Sequence, residues 1–135
     1  MKKLAICLIV FQVFFYNADG SFGYNKVYAP ENLPPHHQAW VIFSEIFNNN
    51  FDFVPSDVCM LWAHYCKLQK LLTINVSDSI MNYGGTYFEY RFVNLLIKNA
   101  LNINGVQYFT LLIEGESKHL PEGVKIYREF FSCQG

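Results

Sequence analysis

Apolar and polar positions divide this chain into a helical first half and a stranded second half. From Gln38 to Phe47 the residues Ala39, Val41, Ile42, Phe43, Ile46 and Phe47 recur at helical spacing, and Asn48-Asn49-Asn50 ends the run. This predicts a short helix with one buried face. After Pro55, Ser56 or Asp57 can cap a second and longer helix. Val58, Leu61, Trp62, Tyr65, Leu68 and Leu72 repeat there at three and four residues, with Lys67 and Lys70 near the end, so a long helix is expected over about residues 56 to 71.

Beyond it the pattern alternates. LTINVSDSIM, TYFEYRFVNLLI, VQYFTLLIE and VKIYREFF each read as strands, the second with Phe88, Tyr90 and Phe92 on one side and Glu89 and Arg91 on the other. Asn82-Tyr83-Gly84-Gly85 suits a hairpin turn, and Ser117 to Gly123 holds another with Pro121 and Gly123. The expected class is α+β: one long helix, plus a short N-terminal helix, packed on a four-stranded antiparallel meander.

The first twenty residues have the composition of a secretory signal. Lys2 and Lys3 precede an apolar run from Leu4 to Phe15 broken only by Gln12, and Ala18 and Gly20 are small residues where a signal peptidase reads. Cleavage between Gly20 and Ser21 is expected. The run is shorter than the roughly 20 apolar residues a spanning helix needs, and no later segment reaches that length, so no stable membrane insertion is expected. The expected organisation is a signal peptide over 1–20, an extended Pro-rich arm over 21–37 and one domain over 38–135. The product would be secreted and extracellular.

Net charge is −1, with no basic stripe, which speaks against nucleic acid as a partner. Aromatic residues make up 18% of the chain, enough to fill a core or to line an apolar pocket. Trp40, Phe43, Trp62, Tyr65, Phe88 and Phe92 are the candidates for such a pocket. With Cys7 in the signal, Cys59, Cys66 and Cys133 remain, enough for one internal bridge. On a helix Cys59 and Cys66 would lie about 10 Å apart along the axis, too far to join each other. Pairing of one of them with Cys133 is expected, leaving the other as a buried thiol or a link to a second chain. Asn75-Val76-Ser77 is a glycosylation sequon.

Catalytic chemistry is not expected. His36 and His37 sit in the proline arm, and His64 is five residues from Cys59 and two from Cys66, the wrong spacing for a helical metal pair. Glu114 and Glu116 flank Gly115 at a strand end, where carboxylates are solvated. No phosphate loop, nucleophile elbow or Cys-x-x-Cys occurs. The reading is a non-enzyme with no metal and no cofactor.

In LNINGVQYFTLLIEGES, Gly105 is followed three residues on by Tyr108-Phe109 and an alternating strand, and Gly84 is likewise followed by Tyr87-Phe88. With a helix ahead of a meander, this resembles the cystatin superfamily, inhibitors of papain-like cysteine proteases that insert an N-terminal arm and hairpin loops into the enzyme cleft. The last turn reads HLPEG where that family often carries Pro-Trp. The resemblance implies protease contacts at Gly23, Gly84, Gly85, Asn104 and Gly105. The function it implies is that of a small secreted binding protein. Two alternatives are an NTF2-like carrier of a small hydrophobic ligand and a disulfide-linked structural protein or dimer. Turn chemistry alone also accounts for Asn102, Asn104 and Gly105.

Overall fold

A computed structural model describes residues 8–30 and 32–129. Strands β1 (Leu8–Tyr16) and β2 (Phe22–Pro30) form an antiparallel hairpin, in register from Leu8 opposite Pro30 to Tyr16 opposite Phe22. Helix α1 (Pro35–Asn48) follows, then β3 (Met60–Cys66) and β4 (Leu71–Val76). A short 3-10 turn at Asp78–Met81 leads into helix α2 (Thr86–Leu101), and β5 (Tyr108–Ile113) closes the order. The second sheet has the order β3-β4-β5, with β3 antiparallel and β5 parallel to β4. A parallel pair needs a crossover, and α2 supplies it.

The single four-stranded meander is therefore replaced by two sheets and two helices of similar length. The first helix stands where its periodicity placed it, starting at Pro35, whose fixed φ and missing N–H suit the first turn. The long helix expected over 56–71 does not form: those residues make β3, a turn and the start of β4. Leu61, Trp62, Tyr65 and Leu68 fit a helical stripe only because the stretch is apolar nearly throughout. In the strand Leu61, Trp62 and His64 face solvent, Met60 and Ala63 pack inward, and Leu68 caps the turn at 97% exposure.

TYFEYRFVNLLI is helix α2, not a strand. Its buried positions are Glu89, Phe92, Leu95, Leu96, Asn99 and Ala100, a stripe at spacings of three and four. The expected hairpin turn at 82–85 is the approach to this helix, with Gly85 at φ +102 as its N-cap. The last expected strand, VKIYREFF, forms no named strand among the described residues. Within it Ile126 and Glu129 accept from the free edge of β5, through Leu111 N–H at 3.0 Å and Phe109 N–H at 2.9 Å.

Residues expected to be cleaved or extended are built into this architecture. The first twenty residues contribute Val13 and Tyr16 to the core, and of the expected arm residues 22–30 form β2 and residues 35–37 open α1. The core lies between the helices and β4-β5, where Ile42, Phe43 and Ile46 of α1 meet Leu72, Ile74 and Phe109. Phe43 and Phe109 stack with ring centroids 5.7 Å apart. Offset stacking of this kind adds about 1 kcal/mol to area burial. No helix among the described residues is long and apolar enough to cross a membrane.

Candidate functional site: a cation-aromatic groove

Helix α2 presents Tyr87, Tyr90, Arg91, Asn94 and Lys98 at spacings of three and four, one stripe on its outer side. The tip of the β1–β2 hairpin lies against that stripe. Together Tyr16, Gly20, Phe22, Tyr90, Arg91, Asn94, Ile97 and Lys98 line an open groove of about 480 Å³.

Local hydrogen bonds fix the walls. Asn17 N–H donates to the Ser21 carbonyl at 2.8 Å and Gly20 N–H to the Asn17 carbonyl at 2.9 Å, closing a turn with Gly20 at φ +87. Both the hydroxyl and the N–H of Ser21 donate to the Asp19 carboxylate, which holds its pKa below the usual value. The Tyr16 hydroxyl donates to the Arg91 carbonyl at 2.8 Å, and Arg91 Nη1 donates to the Gly20 carbonyl at 2.8 Å. Hairpin and helix thus clasp each other. Burial of the Tyr16 ring raises its phenol pKa, with the Arg91 charge opposing the shift.

The two cations of the groove rest on rings. Arg91 lies 5.1 Å from the Tyr16 centroid, 5.0 Å from Tyr87 and 5.8 Å from Phe53; Lys98 Nζ lies 4.5 Å from Phe14 and 4.9 Å from Phe22. Neither has a carboxylate partner among the described residues, whose single ion pair joins Lys118 to Glu116. Arg91 Nε is buried without a hydrogen-bond partner among those residues, so this guanidinium keeps an unused donor. Among the described residues no acidic side chain lines the groove; Asp19 and Asp52 line an adjoining hollow that shares Gly20 and Arg91 with it.

A second polar feature of α2 is closed. Glu89 is buried, and its carboxylate accepts from the Tyr83 hydroxyl at 2.7 Å, Glu122 N–H at 2.9 Å and Val124 N–H at 3.1 Å. Glu122 in turn accepts from Gly85 N–H at 2.8 Å. Burial, then the bond to Glu89, drives the Tyr83 phenol far above its ordinary range. With its oxygens engaged, Glu89 ties residues 120–124 to the start of α2.

The sequence-derived candidates do not converge. Gly23 lies within β2, Gly84 and Gly85 precede α2, and Asn104 and Gly105 follow it. The 16 residues of α2 put roughly 24 Å between the last two sets. The Gly105 carbonyl accepts from the Tyr65 hydroxyl at 2.6 Å. Phe43 and Phe92 are core residues whereas Trp40 and Trp62 are exposed, so the six pocket candidates enclose no common cavity.

Cys59 and Cys66 are free thiols near opposite ends of an extended β3, and Cys133 lies outside the described residues. Asn75 is buried on β4 and accepts from Gly115 N–H at 2.8 Å, so the folded chain does not present its sequon. His36 and His37 contact each other, His64 is exposed, and His119 Nδ1 lies 3.0 Å from the Gly123 carbonyl. No group of three His, Cys, Asp or Glu placed to hold a metal occurs among the described residues. Arg91 and Lys98 were missed as a pair; their spacing of seven, two helical turns, was the available signal.

These elements define a GerMN-like fold. The first GerMN domain of the sporulation protein GerM from Bacillus subtilis matches with a TM-score of 0.67 and 18% identity, over 90% of this chain and 96% of that domain. The tandem GerMN domains of the same protein match at 0.65 and 17% identity, over 92% of this chain and 46% of theirs, so this chain spans about half the tandem pair. A candidate lipoprotein from Clostridium perfringens matches at 0.63 and 9% identity, over 97% and 90% of the two chains. No protein-family model and no curated protein matches the sequence. The match overturns the cystatin resemblance, and with it the wedge assigned to Gly23, Gly84, Gly85, Asn104 and Gly105 and the role of protease inhibitor. It equally replaces the NTF2-like carrier.

Proposed function

We propose that this chain is a non-enzymatic docking domain of the cell envelope, and that its groove takes an acidic segment carrying an aromatic or aliphatic side chain from a partner protein. The observation that carries the reading is the pair Arg91 and Lys98, two cations on one side of α2 that have no carboxylate partner among the described residues, each resting on aromatic rings. Rings hold a cation in place without neutralising it, so its charge remains available to an incoming carboxylate. Exposed Phe22 and Tyr90 beside them offer apolar contact of the kind found at the centre of protein interfaces. The envelope setting comes from the similar structures, one named for a sporulation protein and one as a candidate lipoprotein. The saturated Glu89 carboxylate supports a role in holding structure rather than in catalysis.

The test is a titration of the full chain with two peptides of equal length, one alternating Asp and Phe and one alternating Lys and Phe, followed residue by residue by amide NMR. The acidic peptide should shift the signals of Phe22, Tyr90 and Lys98, and Lys98→Glu should abolish the shifts while leaving the rest of the spectrum in place. Equal response to both peptides, or none to the acidic one, would sink the reading.

A further inference from the structure

The segment with the composition of a cleavable signal is held in the fold by a side chain that imitates a neighbouring strand. Asn99 of α2 is completely buried, and its amide brackets one residue of β1: Oδ1 accepts from Phe14 N–H at 2.8 Å, while Nδ2 donates to the Phe14 carbonyl at 3.2 Å and to Leu95 O at 2.9 Å. A buried asparagine needs such partners, because an unpaired amide away from water is costly. The backbone of β1 is thus bonded on one side by β2 and, at Phe14, on the other by Asn99.

The polar position in the run agrees. Gln12 is exposed between half-buried Phe11 and fully buried Val13, so the residue that interrupts the apolar signal is one that the strand turns to solvent. The expected cleavage site is equally built in. Gly20 and Ser21 lie in the closed hairpin turn, and the carbonyl of the bond to be cut accepts from Arg91. Similarity to the first GerMN domain extends over 90% of the chain, more than residues 21–135 can supply, so the match reaches into β1.

We propose that Asn99 and the surrounding face of α2 form a strand-acceptor site, that its occupant is Leu8–Tyr16 of the same chain, and that the Gly20–Ser21 bond stays intact in the working protein. Docking of this strand does not depend on what the groove binds. It does bear on the groove, since Tyr16 and Gly20 are two of its walls.

The experiment begins with the full chain produced from Met1 in an export-competent bacterium. Its intact mass is measured in the folded state, and amide hydrogen exchange then compares Phe14 with Ile74 of β4 as an internal reference. The expected result is a mass that includes residues 8–20, a Phe14 amide protected at least a hundredfold over a free peptide, and a loss of at least tenfold of that protection in Asn99→Leu while Ile74 keeps its own. A folded product whose mass begins at Ser21 would overturn the proposal. So would a retained segment whose Phe14 amide exchanges like a free peptide, or an Asn99→Leu chain in which Phe14 and Ile74 lose protection equally.

Discussion

Two neighbouring polar regions of α2 are treated in opposite ways. Near the start of the helix, Glu89 is buried and its carboxylate receives three hydrogen bonds from the Tyr83 hydroxyl and the 120–124 segment. Further along, Arg91 and Lys98 are half-buried, rest on rings and have no ion pair among the described residues. The first region spends its charge on holding the fold together; the second leaves charge to be met from outside. Saturation, rather than the mere presence of charged residues, separates a structural polar cluster from one open to a partner.

The sharpest way to break the comparison is to remove the saturated charge. Glu89→Ala should cost about 3 kcal/mol by stranding one hydroxyl and two N–H donors. The check is a lower urea midpoint at unchanged slope. A loss under about 1 kcal/mol, the scale of a single ordinary hydrogen bond, would put Glu89 in the same category as the surface charges.

Next is Tyr83. Its phenol is raised above the ordinary 10.0 in the folded state, so the fold favours the neutral form. The stability this contributes is complete below pH 10 and is lost as pH rises beyond it towards the folded value. Melting temperature should therefore decline from pH 10 upward, and Tyr83→Phe should flatten most of that decline while costing about 1 kcal/mol at neutral pH. Tyr16, shifted in the same direction, should account for the remaining slope. An unaltered slope in Tyr83→Phe would contradict the assignment.

The smallest effect belongs to the open region. Lys98→Ala should change stability by less than about 1 kcal/mol, the scale of a partly exposed cation-ring contact. Thermal unfolding measures it, and a loss as large as that of Glu89→Ala would make Lys98 a structural residue and erase the contrast.

How far the sequence revealed this depends on which residues are considered. Helix α1 was legible because its apolar spacing is clean and three asparagines end it. Helix α2 was not, because Phe88, Tyr90 and Phe92 alternate as in a strand while Phe88, Phe92, Leu95 and Leu96 also trace a helical stripe. The wrong period also hid the groove. On a strand Glu89 and Arg91 share a face, whereas on a helix two residues subtend about 200°, sending one into the core and the other towards the hairpin.

In CMLWAHYC the obstacle was composition: a stretch apolar almost throughout satisfies either period. In β1 the obstacle was physical equivalence, since a signal peptide and a core strand both require a short apolar run. The parallel pairing of Leu71 with Tyr108 joins segments that share no local signal at all.

The Asn99 clasp also sets an order of events. The hairpin is complete once Pro30 has been made, but a lone two-stranded hairpin is marginal in water. Its anchor lies in α2, 85 residues beyond Phe14. Asn99 follows Pro30 by 69 residues, which a ribosome adding about 5–20 residues per second covers in roughly 3–14 s. Throughout that interval the most apolar strand of the protein is finished but undocked. The chain therefore passes its greatest exposure to misassociation before its last quarter exists, and faster synthesis of β4 and α2 would shorten that window without altering one native contact.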